Sequence, residues 1–232
     1  ACVMADEIYN QLLSVIEEVD VPNISSAELA QFVADALRAS SVTLSEDGHR
    51  ELHAGILSWD DLQCPHEAFN AQGSPSPPTI DNTTVPGTWL FSGTTENNLA
   101  VVRQMPHRWK AGGTLKPHVH WEKTTAGSGN VMWQWCYSIA NVGAVFPAYS
   151  AYFDGTNAVP HSNTVRKHAL DTFPDVDMTG KRESCMICIQ FRRLPSHASD
   201  TYAADARFLE FDIHYQSDKD GTEVEYPEID GA

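Results

Sequence analysis

The chain has 232 residues, 42% of them hydrophobic and 20% charged, a composition that supports a packed core and excludes the charge-rich, aromatic-poor class of disordered proteins. That length suits one sizeable β domain with an accessory segment better than two full domains. Acidic side chains outnumber basic ones 31 to 15, giving a formal charge of −16; phosphate backbones and anionic lipid surfaces would repel such a chain, so neither nucleic acid nor membrane is expected as a partner.

At the N-terminus Asp6 and Glu7 stand where a secretory signal would carry basic residues. No run approaches the roughly 18 apolar residues of a membrane helix, so the expectation is a protein made in the cytoplasm. From Met4 to Val19, the residues Ile8, Leu12, Val15, Ile16 and Val19 recur at helical spacing on one face. A second helix follows the break at Asp20 to Asn23. Ser25 and Glu28 fit a capping box, and Leu29, Phe32, Val33, Ala36 and Leu37 supply its apolar stripe. Two short amphipathic helices must cover their apolar faces, either on the same chain or on another protein. Residues 1–45 are therefore expected to form a helical assembly or attachment segment.

Between Gln63 and Thr84 periodicity is lost and Gly73, Pro75, Pro77 and Pro78 sit among Ser, Asn and Thr. This is loop composition, and residues 46–86 read as a linker with a Pro-rich arm. From residue 87 to 217 the texture is β. Strands are predicted at Thr88 to Ser92, Leu99 to Met105, Leu115 to Glu122, Val131 to Ile139, Ser184 to Phe191 and Arg207 to Tyr215, with weaker signals at Tyr149 to Phe153 and Ser162 to Leu170. Three of them alternate: Val131, Trp133, Trp135, Tyr137 and Ile139; then Cys185, Ile187, Ile189 and Phe191; then Leu209, Phe211, Ile213 and Tyr215. One-sided strands without intervening helices predict a mainly β fold, an antiparallel, jelly-roll-like sandwich with a short α-helical N-terminal segment. The stretch Thr124 to Asn130 supplies a turn, and residues 218–232 read as a solvated acidic tail.

His118 and His120 lie two apart on a predicted strand, hence on one face, and Glu210, Asp212 and His214 share the polar face of the last strand. A metal set of His118, His120 and His214, with Glu122 or Glu210 as a fourth ligand, is the one chemical reading the spacing offers. It would make the chain a cupin-like metal-dependent enzyme or binding protein. The competing readings are a solvated stripe, or histidines packed at a subunit interface that tune assembly near neutral pH. Five scattered cysteines indicate a reducing compartment and not a disulfide scaffold. Cys185 and Cys188 would point to opposite faces of a strand and so share no metal. No Gly-x-Ser-x-Gly elbow or phosphate loop occurs, so no catalytic residue and no cofactor are expected. The six tryptophans would suit a glycan platform, but Trp133 and Trp135 fall on the inferred core face.

The run Gln104 to Lys110, followed by Leu115 to Trp121, resembles a "PHxWK…PHxHW" segment of tailed-bacteriophage proteins. Trp59 to Leu62 and Trp133 to Tyr137 are similar to the same group, so the likeness spans roughly Trp59 to Tyr215. It implies a non-catalytic virion component acting through docking, a head decoration, neck or tail protein. It also implies a homo-oligomer, with a trimer the expected state, and other virion structural proteins as partners.

Overall fold

The computed structural model of the chain describes residues 42–44, 50–52, 58–71, 76–82, 84, 87–157 and 161–219. Both expected N-terminal helices, and the acidic tail beyond Lys219, lie outside these residues. Among the described residues the fold is built from antiparallel strands, with one short 3₁₀ turn at His66–Ala68. No helix among the described residues is long and apolar enough to cross a membrane.

In chain order the strands are β1 (Val42–Leu44), β2 (Arg50–Leu52), β3 (Ser58–Pro65), β4 (Thr79–Asp81), β5 (Thr88–Phe91), β6 (Asn97–Gln104) and β7 (Lys116–Lys123). They continue with β8 (Trp133–Ala140), β9 (Phe153–Asp154), β10 (Thr156–Asn157), β11 (His168–Thr172), β12 (Met186–Arg193) and β13 (Ala206–Ser217). β1 and β2 pair as a two-stranded ribbon. A seven-stranded sheet runs β10-β11-β7-β13-β5-β4, with β3 also paired to β13. A four-stranded sheet runs β6-β12-β8-β9.

The two sheets face each other through aromatic side chains. Trp133, Trp135 and Phe191 of the small sheet meet Phe91, Phe208 and Phe211 of the large one, with ring centroids 5.0 Å apart for Phe91 and Trp133, 5.2 Å for Phe191 and Phe208, and 5.3 Å for Trp135 and Phe211. Edge-to-face and tilted pairs at such distances contribute beyond the area they bury. The expectation that Trp133 and Trp135 belong to the core is met, since both are buried.

Two expectations need correction. Residues 58–65 and 79–81 fall within the stretch read as linker and arm, yet β3 and β4 are strands of the large sheet, and Phe69 between them is buried. β3 turns only Leu62 and Cys64 inward, too short an apolar alternation to stand out from loop composition. The sheets thus begin before residue 87. Leu209 was expected on the core side of the last strand. The β7 pairing instead skips it: Phe208 opposes Trp121 and Glu210 opposes His120. This bulge absorbs one residue and resets the alternation, so Phe208 and Phe211 both face the core and Leu209 stays half-buried at the outer surface.

Candidate functional site

β13 is the longest strand and pairs along one edge with β7; its other edge pairs with β5 before the bulge and with β3 after it. β11 pairs with the far edge of β7. With Val119, Trp121, Phe211 and Ile213 committed to the core, the period of two sends the alternate residues of these strands to the outer face. His118 and His120 come from β7, Asp212 and His214 from β13, His168 from β11 and Asp61 from β3. Together with Leu170, Leu209 and Glu210 they line an open depression of about 530 Å³.

At its centre, Asp212 Oδ2 lies 3.2 Å from His120 Nε2 and 3.7 Å from His118 Nε2. His118 is 5% exposed and Asp212 6% exposed, so both are nearly dry although the depression opens to solvent. The other carboxylate oxygen, Asp212 Oδ1, is buried without a hydrogen-bond partner. On its far side the His120 ring is fixed by His168, with 2.7 Å between Nδ1 and Nε2. The His118 ring packs on that of His214 at 4.3 Å between centroids. His214 itself turns away from the centre, with Nε2 3.0 Å from Asp61 Oδ1.

Burial pushes the His118 pKa below the usual imidazole value, helped by His214 and His120 and opposed by Asp212. Burial and the His120 charge lower His168 as well. Glu210 moves up, first through burial and then through the neighbouring Asp212 carboxylate. Both shifts favour the uncharged imidazole at His118 and His168, the form whose ring nitrogen can ligate a metal.

The sequence-derived set is thus only partly assembled. His118 and His120 converge as expected, whereas the third group meeting them is Asp212, and His214 stands beside it in a pair with Asp61. Glu122 is committed elsewhere: with Asp81 it flanks the Arg207 guanidinium in a buried ion network. His168 escaped the sequence reading because only the β11–β7 register brings it to His120. Asp212 was visible as a member of the polar stripe, and its position opposite His118 follows only from the strand pairing. Cys185 is buried, and Cys188, on the other side of the strand, is partly exposed.

No family model and no curated protein matches the chain. Among solved structures it is similar to dimeric latent PorU from Porphyromonas gingivalis, with a TM-score of 0.32 and 13% identity over 72% of this chain. The chain spans 13% of that protein's length.

Proposed function

We propose that the chain is a structural component of a tailed-bacteriophage virion: a jelly-roll-like sandwich, non-catalytic, acting as a homo-oligomer that docks on other virion proteins. What carries the reading is where the residues of the phage-like segment sit. Met105, Trp109, Leu115, Val119 and Trp121 are all buried, Trp109 bridges to Ser217 at the end of β13, and His107 Nε2 lies 2.7 Å from Ser184 Oγ. The segment therefore spends its large apolar side chains on the frame. A motif made of packing residues suits a scaffold repeated in many copies.

A second feature supports docking. The loop between β8 and β9 exposes Val145, Phe146 and Tyr149, with Val145 91% exposed. Apolar side chains grouped on one loop suit a surface that another protein covers. Light scattering on the purified chain and its copy number in purified virions test the reading. An oligomer, trimeric in the simplest case, and a fixed number of copies per particle are expected; a stable monomer missing from particles would remove it.

A further inference from the structure

The outer face of the large sheet holds a donor set suited to a cation. Asp212 is a buried carboxylate whose ion-pair partners among the described residues are His118 and His120; its Oδ1 accepts from no donor, and the Glu210 carboxyl stands beside the Asp212 side chain. A buried charge left this way is costly unless something positive shares the site. The three ligand atoms lie within 4.8 Å of one another. With metal–nitrogen bonds of about 2.0–2.1 Å, tetrahedral ligand atoms stand about 3.3 Å apart. The 3.2 Å and 3.7 Å separations from Asp212 Oδ2 to the two imidazoles bracket that edge.

We propose that His118, His120 and Asp212 bind one divalent first-row transition ion per chain, of the Zn²⁺ class, with the remaining coordination positions open to the depression. His168 is the positioning residue. Its ring nitrogen accepts from His120 Nδ1–H, which leaves His120 Nε2 with its lone pair directed at the ion, the arrangement that outer partners of metal-binding histidines impose. The core does not compete for this role, because the opposite face of β7 is filled by Val119 and Trp121. Two imidazoles and one carboxylate suit a borderline ion better than Mg²⁺ or Ca²⁺, which favour all-oxygen shells. The site stands on its geometry alone and holds whether or not the chain is a virion component.

The test uses the full chain, stripped with a chelator and titrated with Zn²⁺ by calorimetry, followed by X-ray absorption of the zinc-loaded protein. One Zn²⁺ per chain with two imidazoles and no sulfur neighbour is expected. Asp212→Asn should weaken binding by at least ~100-fold, His168→Ala by ~10- to 100-fold, and His214→Gln by less than ~10-fold. Fewer than about 0.1 Zn²⁺ per chain, a sulfur shell, or no imidazole or three in the absorption spectrum would overturn the assignment, as would a larger loss from His214→Gln than from Asp212→Asn. The spectrum is recorded on the unaltered chain, so the proposal is decided even if Asp212→Asn does not fold.

Discussion

Arg193 shows how much a single buried side chain can carry. It is wholly buried, its Nε and Nη2 each donate at 2.9 Å to one oxygen of Asp200, and its remaining donors reach the carbonyls of Phe91, Tyr202 and Ala204. Asp200 in turn accepts from the Met132 amide, so one ion pair ties β5, the entry to β8, β12 and the segment before β13 together. Removing one partner strands the other charge in the core, at a cost of about 3–5 kcal/mol. Arg193→Met should lower stability by that order in urea denaturation; a loss under about 1 kcal/mol would show that water reaches Asp200. Cysteine chemistry gives a second check. Burial pushes the thiols of Cys64 and Cys185 up to about 12, and only the thiolate reacts. Alkylation of the folded protein at pH 8, mapped by peptide mass spectrometry, should label the partly exposed Cys188 well before Cys64 or Cys185. The sequence made the fate of Trp133 and Trp135 readable through alternation, but not that of Arg193, whose partners are set by loop geometry.

Strands announced themselves where one apolar side was long. β5, β6, β7, β8, β12 and β13 fall where strands are predicted, within a few residues, whereas β3 and β4, with few inward residues, lie in the stretch whose composition reads as linker. The same limit governed the site. His118 and His120 share a face by local spacing, but Asp212 and His168 join them only through the pairing of β7 with β13 and β11, which no local pattern encodes. Turns were legible where composition was extreme. In the stretch between β7 and β8, Gly129 adopts φ +109°, and a Cβ built there would sit 2.4 Å from the Thr201 carbonyl oxygen. The Gly129 carbonyl also accepts from Lys123 Nζ at 2.8 Å. Gly129→Ala therefore combines a forbidden backbone region with a backbone clash and should cost roughly 1–3 kcal/mol. Gly180, also at positive φ but with open space around its Cβ position, is the matched control: Gly180→Ala should cost about 1 kcal/mol. Equal melting temperatures for the two variants would mean the loop at Gly129 shifts freely away from Thr201.

At the scale of the whole molecule, the core among the described residues runs from Leu62 to Tyr215, with Trp133, Phe191 and Phe211 in ring contact between the two sheets. Among the described strands, β1 pairs with β2 in a ribbon separate from the two sheets. Under the proposed virion role, two regions compete to hold copies together: residues 1–45, read from sequence as amphipathic, and the exposed loop carrying Val145, Phe146 and Tyr149. A segment that contributes nothing to the core can be removed without lowering its melting temperature, whereas one that only caps the sheets would expose apolar surface when lost. Deleting residues 1–45 should therefore leave the thermal transition within about 3 °C of the full chain, since a shift of ~4–8 °C corresponds to about 1 kcal/mol in a small domain and less in a larger one. The same deletion should reduce the mass measured by light scattering to that of a monomer. If the truncated chain keeps its oligomeric mass and loses it only when Val145 and Phe146 are replaced by serine, the sheets assemble through the β8–β9 loop and the N-terminal segment is left with attachment to other virion proteins. A fall in melting temperature of ten degrees or more would instead make the segment part of the folded core and sink the division between assembly segment and sandwich.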